Sequence, residues 1–270
     1  ARVVHHADRT GAEIVRVLDA HTRAHPAIER VEGMRALDLL VEEEGGAPRC
    51  TGVQVLRLED GMLCELRAHL VVLATGGVGQ VYPTTTNPTT ATGDGIAMAL
   101  RAGVPLRDMA FVQFHPTALH TGEPGQAFLI SEAVRGAGAR LLRHDGTPLM
   151  EDVHPMGDLA PRHVVAHTLH QELVRSGRPH AWLDAGPIGM ARFALEFPAI
   201  DRWCEERGLV PGRDRLPVAP AAHYLCGGIA TDGAGRTALP GLLALGECAG
   251  TGMHGADRLA SNSLLEALVV

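Results

Sequence analysis

Arg162 follows Pro161, a residue favoured at the start of a helix, and Val165, Leu169 and Leu173 then recur every fourth position. The pattern predicts a helix with an arginine in its first turn. Helix N-termini carry partial positive charge, so an acid is the usual occupant and a cation is disfavoured. Such an arginine is either a solvated side chain or one kept there to meet an anion, and the pattern alone leaves both open. The chain contains no lysine, so any anion recognition by a fixed charge must use the planar guanidinium fork.

Three other patterns invite chemistry and have duller explanations. Ser131-Glu132 has the form of a helix start, with a hydroxyl to cap and an acid to face the dipole. Gly250-Thr251-Gly252-Met253-His254-Gly255 matches a dinucleotide-binding fingerprint, which should open into a helix and be followed about 20 residues later by an acid. Ala256-Asp257-Arg258 intervenes instead, so a loop of close backbone approach is the better expectation. His163 and His167 are one helical turn apart, but 15 histidines make chance pairs common and no acid completes a zinc motif, so no metal is expected.

The elements that must position these groups follow from periodicity. Residues 11–24 are predicted helical, with Ile14, Val17 and Leu18 on one face. Apolar runs near 34–41, 53–58 and 62–74 predict a strand meander ending in a buried strand, His69–Ala74. Gly93-Asp94-Gly95 opens a predicted helix over 95–102, closed by Gly103. Helical windows at 128–142, 161–175 and 189–208 then dominate, before short strands return over 226–246 and a last helix begins at 261. The expected organisation is a strand-rich domain, 1–108 and 226–270, interrupted by a substrate domain at 109–225.

Composition bounds the function. A net charge of -7 with no basic stripe argues against nucleic acid, and no apolar window reaches the length of a membrane span. Five dispersed cysteines without a CxxC pair suit reduced thiols in a cytoplasmic enzyme. The start shows no signal-peptide pattern.

Several segments together carry a family resemblance: "ATGG" at 74–77, "TTNPTTATGDGIAMALRAG" at 85–103, "QFHPTAL" at 113–119, "LAPRHVVAH" at 159–167, "PAAHYLCGG" at 220–228 and "LGECAGTGMHGADRLASNSLLE" at 245–266. In this order they resemble the L-aspartate oxidases, within the wider group that holds the flavoprotein subunits of succinate dehydrogenase and fumarate reductase. The resemblance implies an α/β (α+β) fold: part of a Rossmann-like FAD-binding domain interrupted by an α+β capping domain. It implies FAD held non-covalently and oxidation of L-aspartate to iminoaspartate, with electrons passed to oxygen or fumarate. That reaction opens NAD biosynthesis through quinolinate, and quinolinate synthase uses the product. The alternative is a fumarate reductase or succinate dehydrogenase flavoprotein, or an inactive piece of either. The family's N-terminal GxGxxG unit and its C-terminal helical domain are expected outside these residues.

By the same resemblance, Arg162 matches the proton-transferring arginine. Gln113, His115, Ser131, Glu132, His223 and Arg258 match the substrate pocket, and Asp94, Glu247, Ser263 and Leu264 match FAD-contacting positions. Ser131 stands where the family carries threonine and Asp257 where it carries asparagine. The roles are chemically coherent. Arginine grips a carboxylate through paired hydrogen bonds, and fixing both carboxylates aligns Cα–H with the flavin. The Ser261-Asn262-Ser263 segment is expected to start a helix whose amides favour negative charge on the flavin.

Overall fold

A computed structural model describes His6, Asp8–Glu123 and Gly125–Val270. It is a mixed α/β chain that divides into two compact units. Each is described by itself.

One unit comprises Val31–Phe114, residues 125–126 and Ala222–Val270. Strands Met34–Glu44, Ala47–Arg57 and Leu63–Arg67 form an antiparallel meander. Glu44 pairs with Ala47, leaving a two-residue turn of Gly45 and Gly46, both at positive φ, as a tight hairpin requires. Val71–Leu73 pairs in parallel with Leu242–Ala244, and Gly228–Ala230 lies between Leu106–Arg107 and Ala249–Gly250. Helix Asp94–Arg101 buries Ile96, Met98 and Ala99 in a core shared with Leu73, Ile229, Leu242 and Cys248.

The other unit comprises the described residues through Arg30, His115–Glu123 and Ala127–Ala221. Arg140–Leu142, Ala181–Asp184 and the first half of Leu216–Leu225 form an antiparallel sheet. Its core gathers Ile130, Leu141, Met150, Leu169, Leu183, Phe193 and Leu216. Helix Arg162–Ser176 inserts Val165, Ala166 and Leu169, which is the four-residue spacing of the sequence put to use. Gly177, at φ +65°, ends that helix in a left-handed cap.

Three expectations need correction. The helical window 128–142 holds only the helix Glu132–Gly136, because Gly138 at φ +121° turns the chain into the strand Arg140–Leu142. The stretch 109–225 is less helical than predicted: Val112–Leu119, Ala181–Asp184 and Leu216–Leu225 are strands. Their apolar residues are spaced too irregularly to announce an alternation. The N-terminal segment also clusters with the insert rather than with the strand-rich unit. Asp8 accounts for this, since its Oδ2 accepts from the amides of Ala199 and Ile200 at 2.8 and 3.1 Å. Those amides open the helix Pro198–Glu205, which has no cap of its own.

The five cysteines are free, and all but Cys64 are buried. No described helix is long and apolar enough to cross a membrane.

Gly228 offers a test of the strand-rich unit. It lies at φ +149°, and a Cβ there would overlap the carbonyl oxygen of Cys248, which is backbone and cannot swing aside. Gly228→Ala should lower stability by about 2 kcal/mol or more, read from the shift in a chemical denaturation curve.

Candidate active site

In the unit built around the insert, the site residues stand on a short helix, a long helix and one strand. Ser131 caps the helix Glu132–Gly136, its Oγ accepting from the amide of Ala133 at 3.2 Å. That use of the lone pair leaves the hydroxyl proton for an acceptor. Glu132, next along, faces the first turn of its own helix and also reaches Arg162, the first residue of Arg162–Ser176. Nε of Arg162 donates to Oε2 of Glu132 at 2.6 Å. The helix of Arg162 has no acid in its own first turn, so Glu132 supplies the missing negative charge from another element. The Arg162 side chain is 12% exposed, which rules out a solvated arginine.

Behind this pair lies a residue that the sequence did not single out. Arg135 is fully buried, donates through Nη1 to the carbonyl of Asp158, and places Nη2 4.0 Å from Oε2 of Glu132. Its Nε and Nη2 have no hydrogen-bond partner among the described residues. Burial pulls this guanidinium below its ordinary value, and the charges of Glu132 and Asp158 partly restore it. Burial likewise raises the Asp158 carboxyl, against the amide of Leu141 that donates to it at 2.9 Å. The only warning in the sequence was the i, i+3 spacing of Glu132 and Arg135.

His115, on the strand Val112–Leu119, is 1% exposed. Its Nδ1 accepts from the amide of Thr117 at 3.2 Å, while the Thr117 hydroxyl donates to the carbonyl of Ile130. Nδ1 is therefore the acceptor of a neutral imidazole, and Nε2 carries its proton.

In the strand-rich unit, Gln113 and Arg258 meet although 145 positions apart. Nη2 of Arg258 donates to Oε1 of Gln113 at 3.0 Å, while Nε2 of Gln113 donates to Oδ1 of Asp257 at 2.6 Å and to the carbonyl of Arg258 at 2.7 Å. The amide can take only one orientation, because acceptors line one side and a donor the other. The Arg258 guanidinium also lies 4.5 Å over the ring of Tyr224. His223 is held differently: Nδ1 is 2.7 Å from the Thr86 hydroxyl, and its carbonyl accepts from Nδ2 of Asn87 at 3.0 Å. The Thr86-Asn87-Pro88 stretch thus supports the strand end that carries His223.

The positions matched to FAD contacts surround glycine-lined backbone. Glu247 is mostly buried, and its Oε1 accepts from the amide of Leu225 at 2.9 Å. Burial raises its carboxyl, opposed by that amide and by Arg258. A Cβ on Gly77 would collide with the Glu247 side chain, and one on Gly95 with Thr75. Asp94 opens the helix Asp94–Arg101 at the surface. Ser263 and Leu264 lie in the first turn of Asn262–Val269, whose start has no side-chain cap. Uncapped amides for carbonyl oxygens and a carboxylate for hydroxyls fit a flavin with its ribityl chain. Among the described residues, no cluster of His, Cys, Asp and Glu can hold a metal ion.

Comparison with known proteins finds relatives of the whole chain. A family model described as FAD binding domain matches residues 1–264. L-aspartate oxidase of Nostoc sp. is 48% identical over 99% of this chain and 46% of its own length. That of Streptomyces coelicolor is 48% identical over 97% and 45%, and that of Mycobacterium tuberculosis 49% identical over 100% and 49%. Among solved structures, a FrdA variant of E. coli quinol fumarate reductase is 37% identical with a TM-score of 0.89, over 99% of this chain and 48% of that one. Mycobacterium smegmatis Sdh1 is 34% identical with a TM-score of 0.77, over 99% and 47%. The chain spans about half the length of the curated relatives it matches.

Replacing Gln113 tests the strand-rich half of the site. Gln113→Leu leaves the buried Arg258 and Asp257 without the amide between them, and should cost about 1–3 kcal/mol, read by denaturation of the complete protein.

Proposed function

Since the chain belongs to the FAD binding domain family, we propose that the complete protein oxidises L-aspartate to iminoaspartate. The observation that carries this reading is the ion pair of Arg162 and Glu132, a buried guanidinium oriented by a carboxylate at a helix start. Its support in kinship is the 48–49% identity with several L-aspartate oxidases.

FAD, held non-covalently on this reading, would supply two-electron acceptor chemistry, with oxygen or fumarate as the final acceptor. Glu247 and the amides at Ser263 and Leu264 would hold its flavin end, with Asp94 at a second helix start. The protein's own groups bind the dicarboxylate and move protons. Arg258 takes one carboxylate through its fork, with Gln113 setting the plane of that fork. His223, His115 through Nε2, and the Ser131 hydroxyl supply further donors for the rest of the substrate. Such fixation aligns the Cα–H bond before any electron moves.

Arg162 handles the proton. In the reducing direction it donates to the substrate carbon, and Glu132, 2.6 Å from Nε, reprotonates it. Arg135 stands 4.0 Å beyond Glu132 as the next station inward. Oxidation runs the relay backwards. The same residues serve a succinate or fumarate enzyme, and the 0.89 TM-score with fumarate reductase keeps that second reading in view. On this reading the protein works in the cytoplasm, and quinolinate synthase consumes the product.

Assays of the complete protein decide between the two. L-Aspartate should be turned over with peroxide release; activity confined to succinate and fumarate would favour the second reading. Arg162→Gln should lower kcat by about 10²–10⁴-fold, and near-normal turnover in that variant would remove Arg162 from proton transfer.

A further inference from the structure

Two buried titratable side chains of the strand-rich unit have no part in the reaction just described. His254 and Glu266 are 4% and 2% exposed, and Nε2 of the one lies 2.6 Å from Oε2 of the other. The second oxygen of Glu266 accepts from the Thr251 hydroxyl. Nε2 of His254 is also 3.3 Å from the Tyr224 hydroxyl, and the two rings stand edge to face with centroids 5.3 Å apart. The other face of the story is Arg258, whose guanidinium rests over that same tyrosine ring at 4.5 Å.

Well-packed apolar side chains of similar volume usually serve stability as well as a buried polar pair does. What the pair adds is direction. Glu266 belongs to the helix Asn262–Val269, while Thr251 and His254 belong to the loop that leads to Arg258. Two hydrogen bonds to one carboxylate therefore tie the loop to the helix, and the third contact fixes the tilt of the Tyr224 ring. A fork that must meet a carboxylate with two parallel bonds tolerates little tilt.

We propose that His254 and Glu266 are positioning residues for Arg258, holding its loop against the helix and setting the aromatic ring on which its guanidinium lies. The inference rests on the reading of Arg258 as a carboxylate ligand. It requires that loss of either residue weaken dicarboxylate binding more than it slows the bound substrate.

The test uses the complete flavin-loaded enzyme and malonate, a dicarboxylate with no Cα–Cβ pair to oxidise, titrated through the change in flavin absorbance. His254→Gln and Glu266→Gln should each raise the malonate Kd and the KM for L-aspartate about tenfold, the effect of one misplaced charge-assisted contact. In both, kcat should change less than KM and the flavin should stay bound. Tyr224→Phe removes only the hydroxyl that touches His254 and should raise the malonate Kd about threefold. It also keeps the question open to a negative answer if the two Gln variants fold poorly. In a Tyr224→Leu background, His254→Gln should add little further loss, since the ring through which it acts is gone. Unchanged malonate binding in folded His254→Gln and Tyr224→Phe, whatever their melting temperatures, would reduce the pair to a structural tie. Wild-type enzyme that turns over L-aspartate, with malonate bound equally well after Arg258→Lys, would sink the inference alone. Wild-type enzyme that neither binds malonate nor oxidises L-aspartate would sink the functional reading, and this inference with it.

Discussion

A guanidinium taken out of water keeps its charge, because arginine does not give up its proton to escape burial as lysine does. It must be met by oxygen atoms or by an aromatic face, and each unit of this chain is organised around that demand. In one, Glu132 holds Arg162 and the carbonyl of Asp158 holds Arg135. In the other, Gln113 and the Tyr224 ring hold Arg258. The acceptors come from helix starts and strand ends far away in sequence, so the elements are arranged to bring them in. In a chain without lysine, every fixed cation meets an anion in this directional way.

How much of this was legible depends on distance along the chain. Arg162 stood out because a helical period begins beside it and Pro161 marks the boundary. Glu132 stood out only as a helix start, and its pairing with Arg162 did not show, since it lies 30 positions upstream in a helix of five residues. His223 was reachable only through family resemblance. Its strand meets Thr85 through a pairing of Ala222, a match of residues that no local pattern encodes. The three strands of the meander were legible because they follow one another with glycine turns between them, but the strand expected to end it, Val71–Leu73, pairs with Leu242–Ala244 in another sheet. The strands of the insert were not, because their apolar residues are too irregularly spaced to announce an alternation.

The glycine-rich fingerprint shows the same limit from the other side. Gly250 and Gly252 come close to the side chain of Arg107, so their lack of a Cβ is accounted for by packing inside the protein. No helix follows them before Asn262. The loop they begin ends at Arg258, and its glycines serve the path of the chain to that arginine. Spacing of glycines records close approach, and the approaching group has to be found in three dimensions.

The cap that Asp8 places on the helix Pro198–Glu205 joins residues 191 and 192 positions apart. The parallel pairing of Val71–Leu73 with Leu242–Ala244 spans the other unit's insert in the same manner. Neither unit is therefore closed by neighbours in sequence. On a ribosome, the strand Val71–Leu73 waits without its partner until residues past position 240 have emerged. Folding of a chain wired in this way is slow and late. Its need for protection during synthesis is written in the same long-range contacts that assemble its arginines.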